Sequence, residues 1–179
     1  MPADIDASGA ASHGTFRRPC SDRREDQMII HRAGQGRSIT FRGATIVRKV
    51  DASETGGRWA FGEATQPPGF ENSPHSHSEP EAFYVLDGDF VLYGSGEPTH
   101  LDRGCFVLIP PDEIHGFRAG VQGGRFLAIW PAMMDGYFEE MIAAAAAGSA
   151  TPESMTEIGR RHGVTGHGAL PYLDGSQAP

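Results

Sequence analysis

One histidine pair in the sequence has the spacing of metal ligands on a strand. His75 and His77 are separated by one residue, and side chains two residues apart on a β-strand project from the same face. Glu81 follows at the head of an apolar run, EAFYVLDG, that is typical of a strand. The segment therefore has two interpretations: a polar turn that is rich in histidine, or three ligands that converge on one metal ion.

Further residues around this pair complete a longer pattern. From Gly69 the sequence reads G-x5-H-x-H-x3-E-x6-G, which ends at Gly88. A second pattern contains Gly104, then Pro110 after five residues, and then His115 five residues beyond the proline. The two patterns resemble the two sequence motifs of the cupin superfamily, and the first matches at every fixed position.

The second pattern departs from the family motif at two positions. Asp112 stands where the family has glycine, and Ala119 stands where it has asparagine. Neither departure falls on a ligand, although the turn that carries Asp112 is expected to have a different shape. The resemblance covers roughly residues 60–130.

This resemblance implies an all-β fold, an antiparallel double-sheet jelly-roll barrel that holds one metal ion per chain. The ligands implied are His75, His77, Glu81 and His115. Three imidazoles and one carboxylate suit divalent first-row transition metals, so we expect iron, nickel, manganese or copper, with zinc as an alternative. Four protein ligands leave one or two positions open for water, a substrate oxygen or O2.

Short β-segments are predicted from Met28 to Trp130, separated by turn-forming residues such as G-G, P-P-G and D-G-D. MIIH, EAFYVLDG, DFVLYG, HGFRA and RFLAIW are each predicted as a separate strand. After Pro131, apolar residues at helical spacing predict one helix, and Thr151 followed by proline predicts the start of a second. The expected organisation is a disordered tail at 1–27, a cupin barrel at 28–132, and a helical C-terminal extension at 133–179 that packs on the barrel.

The composition restricts the partners and the compartment. The chain of 179 residues has 15 Lys and Arg against 23 Asp and Glu, a formal net charge of −8. Such an excess of negative charge disfavours binding to nucleic acid or to an acidic membrane surface. Cys20 and Cys105 are its two cysteines, with Cys105 expected to be a buried thiol, and no apolar leader segment is visible. We therefore expect a cytoplasmic protein.

The segment after the barrel resembles one branch of the superfamily. WPAMMDGYFEEMIAAAAAG followed by TPESMTEIGRRHGV is similar to the helical extension of quercetin 2,3-dioxygenase-like (flavonol dioxygenase-like) cupins. This resemblance implies an enzyme that acts on a phenolic or enolic small molecule with O2 as co-substrate. It also implies that Glu81 is the catalytic residue that accepts the substrate's hydroxyl proton. A non-redox isomerase, cyclase or decarboxylase and a non-catalytic metal-binding barrel are the alternatives.

Several residues near the motif have more than one interpretation. Glu79 is a rival to Glu81 as the carboxylate ligand, but the spacing to Gly88 favours Glu81. Six aromatic residues are interpreted first as barrel core, and they are also the candidates for lining an apolar substrate pocket above the metal: they are Phe61, Phe70, Phe83, Phe117, Phe126 and Trp130.

The strand that begins at Glu81 is predicted to be apolar on both faces. Period-two alternation places Phe83 and Val85 inside the barrel and leaves Ala82, Tyr84 and Leu86 outside. Because the outward residues are apolar too, we expect them to contact a second layer or a subunit interface. A homodimer is the expected state, since dimerisation is common among cupins.

Overall fold

The computed structural model describes residues 28–170, and within them nine strands form one curled antiparallel sheet. The strands are β1 (Arg37–Phe41), β2 (Ala44–Val50), β3 (Trp59–Gln66), β4 (Glu71–His77), β5 (Glu81–Tyr93), β6 (Thr99–Leu101), β7 (Phe106–Ile109), β8 (His115–Pro131) and β9 (Val164–Gly166). A 3-10 helix, Ala52–Thr55, precedes β3. Two helices, α1 (Ala132–Ala146) and α2 (Pro152–Arg161), follow the long strand β8. The predicted all-β fold with two C-terminal helices is confirmed.

Strands β5 and β8 are the two long strands that connect the other strands of the sheet. The first part of β8 pairs with β4, the last part pairs with β3, and β5 pairs with β8 along most of its length. The sequence predicts a strand break at D-G-D and another after HGFRA, and both predictions are wrong. Instead, register shifts between Val85 and Phe90, together with the positive φ of Gly88 and Gly123, bend the strands without ending them.

Aromatic rings fill the interior of the curled sheet. Phe90, Phe117 and Phe126 pack edge to face on one another, with ring centroids 5.4–5.7 Å apart. Phe83 and Val85 are buried in the same core, which confirms the alternation predicted from Glu81. The interior that the ligand-type residues face is therefore lined by apolar rings.

The second helix begins as the sequence predicts. The Thr151 hydroxyl accepts a hydrogen bond from the Ser154 backbone N–H, and Pro152 occupies the first helical turn. Beyond this helix the chain forms β9, which pairs with His75–His77 of β4. The sequence did not predict this strand, whose three residues are too few to carry a pattern.

Two predictions concern the N-terminal region. MIIH is predicted as a strand, but residues 28–32 have no regular structure, because an apolar run becomes a strand only where a partner strand offers hydrogen bonds. The disordered tail predicted for 1–27 lies outside the described residues. No helix within 28–170 is long and apolar enough to cross a membrane.

The two glycines of the first motif are expected to tolerate alanine very differently. At Gly88, φ is 72° and a Cβ atom would lie 2.2 Å from the Gly123 carbonyl oxygen, whereas at Gly69, φ is 66° and a Cβ atom would meet nothing within 4 Å. Gly88→Ala should therefore lower the free energy of unfolding by at least about 3 kcal/mol, because backbone strain and the close contact add. Gly69→Ala should lower it by about 1 kcal/mol, from backbone strain alone. Urea denaturation measures both, and equal losses would show that the contact at Gly88 relaxes.

Candidate metal centre

Three strands of the barrel bring four ligand-type side chains to one point. His75 and His77 lie on β4, His115 is the first residue of β8, and Glu81 is the first residue of β5. His75 is the register partner of His115. The sheet therefore places the two halves of the sequence pattern side by side, although 34 positions separate Glu81 from His115.

The four side chains are close enough to share one ion. Their candidate ligand atoms all lie within 4.8 Å of one another. Oε2 of Glu81 is 3.3 Å from Nε2 of His77 and 3.3 Å from Nε2 of His115. All three histidines are buried, and the Glu81 side chain is 15% exposed. The centre thus lies inside the barrel, with a limited opening at the carboxylate.

Each histidine ring is held by a backbone carbonyl. The Nδ1–H of His75 donates to the Ser73 carbonyl (3.0 Å). The Nδ1–H of His77 donates to the Glu79 carbonyl (2.7 Å), and the Nδ1–H of His115 donates to the Glu113 carbonyl (2.9 Å). This arrangement fixes the tautomer, because a neutral imidazole that donates from Nδ1 carries a lone pair on Nε2. When all three rings are neutral, three lone pairs and a carboxylate face one another, and either a metal ion or protons on Nε2 must lie between them.

The pKa shifts reflect the same need for a cation. Burial would raise the pKa of Glu81, but the hydrogen bonds with His115 and His77 outweigh burial and hold that pKa at about 2. Burial would lower the pKa of His77, but the Glu81 carboxylate outweighs it and the pKa is raised. Burial and the neighbouring His115 lower the pKa of His75 to about 4. At neutral pH Glu81 is therefore ionised and His75 is neutral, which are the forms that ligate metals.

The residues present fit a transition metal. Three imidazole nitrogens and one carboxylate oxygen suit divalent iron, nickel, manganese, copper or zinc better than magnesium or calcium, which prefer oxygen ligands. A cluster of three histidines and one glutamate that could hold such an ion is therefore present.

Two residues support the cluster without offering it a side-chain ligand. Glu79, the rival carboxylate, contributes its carbonyl to His77. Glu113 contributes its carbonyl to His115, and its carboxylate accepts hydrogen bonds from the Ser95 N–H (3.0 Å) and hydroxyl (2.7 Å). Sequence reasoning did not identify Glu113. Its position two residues from a histidine ligand, like that of Glu79 and Ser73, was the available signal.

The turn before His115 also contacts the cluster's backbone. Asp112 has φ 64°, the left-handed conformation that glycine adopts most easily and that aspartate tolerates better than most residues. Its N–H donates to the His77 carbonyl at 2.8 Å. This bond ties the turn to β4 beside the ligands.

The six aromatic pocket candidates lie in different places. Phe83, Phe117 and Phe126 are in the barrel core, and the half-buried Phe70 packs on Phe117 with ring centroids 6.3 Å apart. Trp130 is buried against Phe138 of α1, and its Nε1–H donates to Asp135 at 2.8 Å.

Phe61 is placed on the outer side of the sheet, so its assignment to an interior pocket is wrong. It is the register partner of the exposed Ile129, and its neighbours Ala60 and Gly62 are the buried ones. Glu63, on the same outer side, forms an ion pair with Arg125 at 2.9 Å. Cys105, expected to be buried, is half-buried and donates to the Asp102 carboxylate at 3.1 Å.

The fold is similar to that of cupin barrels, and the four side chains inside it form a candidate metal centre. Residues 62–130 match the family model of the cupin domain. Two solved structures share the fold. The polyketide cyclase RemF from Streptomyces resistomycificus is 24% identical, with a TM-score of 0.53, and the match covers 59% of this chain and 80% of the cyclase chain. An RmlC-like cupin from Shewanella frigidimarina is 17% identical, with a TM-score of 0.50, and the match covers 61% of this chain and 95% of the Shewanella chain.

A curated relative is similar over a shorter segment. Dimethylsulfoniopropionate lyase DddW from Ruegeria pomeroyi is 37% identical over 59 residues, which is 33% of this chain and 39% of the lyase. The chain therefore matches about two fifths of that relative's length.

Proposed function

We propose that this chain is a metal-dependent enzyme whose metal ion is held by His75, His77, Glu81 and His115. The convergence of three ring nitrogens and one ionised carboxylate carries this proposal. The backbone carbonyls orient every ring so that its lone pair faces the centre. A divalent cation would satisfy all four side chains at once, which their mutual hydrogen bonds cannot do.

The reaction we propose is the dioxygenation of a phenolic or enolic small molecule, flavonol-like in character, with O2 as the co-substrate. When bound, the divalent cation would lower the pKa of a phenol-type hydroxyl in contact with it. In this proposal Glu81 accepts that proton, and its ionised carboxylate, which faces the same centre, supports the role. The helical segment after the barrel, which resembles that of flavonol dioxygenase-like cupins, supports this choice of reaction.

Neighbouring aromatic rings favour an apolar substrate. Phe83 and Phe117 follow the ligands Glu81 and His115 by two residues on the same inward faces, and their ring centroids are 6.5 Å apart. An apolar wall beside the ligands suits an aromatic ring and excludes water from the reacting atoms. A sugar, by contrast, would leave hydroxyl groups without partners there.

A non-redox reaction is the second candidate, and the segment similar to dimethylsulfoniopropionate lyase DddW favours it. A lyase, isomerase, cyclase or decarboxylase would use the same cation as a Lewis acid and the same carboxylate as a base, without consuming O2. The two candidates therefore share residues and differ in one measurable co-substrate.

Metal content and oxygen uptake test the proposal together. Protein produced in medium containing iron, nickel, manganese, copper and zinc, and purified without chelator or affinity tag, should bind about one equivalent of a redox-active metal. His77→Ala should reduce the bound metal to about a tenth or less, whereas the exposed His100→Ala should not change it. Oxygen uptake is then measured with flavonols and related enols, before and after removal of the metal by chelation.

Each outcome assigns the function differently. Uptake of O2 that is lost with the metal and restored by adding it back supports the dioxygenase. Turnover without O2, or zinc as the sole bound metal, favours the non-redox reaction. A wild-type protein that binds none of the five metals would overturn the metal centre and leave a non-catalytic barrel.

A further inference from the structure

The short strand β9 completes the sheet beside the strand that carries two of the ligand-type histidines. Strand β4 pairs with β8 on one side and with β9 on the other, and β9 is the last strand at that edge of the sheet. Three register pairs join the two strands: His75 with Gly166, Ser76 with Thr165, and His77 with Val164. An edge strand has a row of backbone N–H and C=O groups without strand partners. Without β9, the strand that carries both histidines would therefore be such an edge.

The backbone hydrogen bonds of β4 are divided between its two neighbours. The His167 N–H donates to the Pro74 carbonyl at 2.8 Å. Because bonded pairs alternate with unbonded ones along antiparallel strands, the next bonded pair is Thr165 with Ser76. The Ser76 hydroxyl and Nε2 of His167 form a further hydrogen bond at 3.0 Å. The His77 carbonyl accepts instead from the turn before β8, so β9 holds the middle of the His-x-His segment from its other side.

Buried side chains hold β9 in this position. Val164 is buried in the barrel core, on the inward face directly opposite His77. Leu170, also buried, lies against the residue that follows the third histidine: a Cβ atom at Gly116 would be 3.1 Å from Cδ2 of Leu170. The segment 164–170 thus contacts both strands that supply the histidines.

We propose that β9 is a positioning element of the metal centre, and that Thr165 is its positioning residue through the backbone N–H. By pairing with β4, it fixes the direction of both histidine side chains before the ion binds. A ligand set that is already ordered loses less conformational freedom on binding than a mobile one, so it binds more tightly. This role rests on the proposed function for the existence of the metal centre, and it adds dependence on a segment about 90 positions away.

A proline substitution in β9 tests this role in the full chain. Thr165→Pro removes the N–H that bonds to Ser76, whereas Thr165→Ala keeps it and is the matched control, since the Thr165 side chain is exposed. Zinc serves as a redox-inert probe, and competition with a chromogenic chelator measures its affinity. Thr165→Pro should weaken zinc binding at least about 10-fold, the smaller cost of losing a group that supports a metal ligand. Thr165→Ala should stay within about twofold of the wild type.

Stability is measured separately from affinity. Circular dichroism establishes that each variant is folded at the temperature of the zinc titration, and thermal unfolding without metal gives its midpoint. A purely structural role for β9 would lower the unfolding midpoint of Thr165→Pro and leave the zinc affinity of the folded protein unchanged.

Hydrogen exchange of the wild-type protein tests the same role without any variant. Coupling between two sites is reciprocal, so if β9 favours zinc binding, bound zinc must stabilise the pairing of β9. Zinc should therefore slow amide exchange in residues 164–167 at least about tenfold. Strand β1, at the opposite edge, is the control: it pairs with β2, which carries none of the four ligand-type residues, and its exchange should change less than about twofold.

The outcomes distinguish this role from the metal centre itself. Equal zinc affinities of Thr165→Pro and Thr165→Ala would overturn the role of β9 and leave the metal centre standing, as would exchange at residues 164–167 that zinc does not slow. A wild-type chain that binds no zinc would overturn both. If Thr165→Pro does not fold, exchange in the wild-type protein decides.

Discussion

Glu81→Gln is expected to weaken metal binding at least about 100-fold and to abolish turnover, while the barrel stays folded. The substitution keeps the size of the side chain but removes the charge that faces His77 and His115 at 3.3 Å. Loss of a supporting partner of a metal ligand already costs 10–100-fold in affinity, so the loss of a charged ligand should cost at least as much as the upper value. Competition with a chromogenic chelator measures the affinity, and oxygen uptake measures turnover.

Glu79→Gln is the matched control for this experiment. Glu79 is the neighbouring carboxylate, and its side chain is exposed while its backbone carbonyl holds His77. Because the substitution leaves that carbonyl in place, metal affinity should stay within about twofold of the wild type. If Glu79→Gln had the larger effect, the ligand would be Glu79 and the spacing argument from Gly88 would be wrong.

Asp135→Ala is expected to cost about 3–5 kcal/mol of folding free energy. Asp135, in the first turn of α1, accepts hydrogen bonds from the Trp130 indole and the Ala52 backbone N–H, each at 2.8 Å. It also lies 3.6 Å from the guanidinium of Arg48, which is only 2% exposed. Removing the carboxylate leaves two buried donors unpaired and a buried cation with fewer compensating charges, which is the costly way to break such a pair.

Glu139→Ala tests whether the cost comes from burial. Glu139 also contacts Arg48, at 3.2 Å, but its side chain is 47% exposed. Solvent screens this contact, so its removal should cost about 1 kcal/mol or less. Urea denaturation at neutral pH compares the two variants. Similar small losses in both would mean that water or a side-chain shift replaces Asp135, and that the contacts of Arg48 with Asp135 and Glu139 do not fasten α1 to the barrel.

The candidate metal centre and the Arg48 cluster, which is Arg48 with Asp51, Asp135 and Glu139, differ in how far the sequence could predict them. The candidate metal centre was predictable because the spacing of its residues is local in two short motifs. The alternation of side chains along a strand also gives the direction of these residues. His75 and His77, and then Phe83 and Val85, face the interior as the period of two requires. The Arg48 cluster was not predictable, since it joins β2, the 3-10 helix and α1 across separations of up to 91 positions, and nothing in the local pattern links them.

The continuity of β5 and β8 was another feature that the local sequence pattern did not predict. D-G-D and the glycines after HGFRA resemble strand ends, yet β5 and β8 continue through them as bends. A glycine that frees the backbone can end a strand or curve it, and the choice depends on whether a neighbouring strand keeps offering hydrogen bonds. That neighbour is present in both cases, because β5 and β8 pair with each other along most of their length.

By itself, then, the sequence determined the type of fold, the four ligand-type residues and the direction of the side chains that follow Glu81. All of these depend on residue type and on spacing within a strand. The tertiary structure alone decided that Phe61 faces outward, that Glu113 holds His115, and that β9 pairs with the strand that carries His75 and His77. Each of these depends on which strands become neighbours, and hydrogen-bond pairing between distant segments settles that choice.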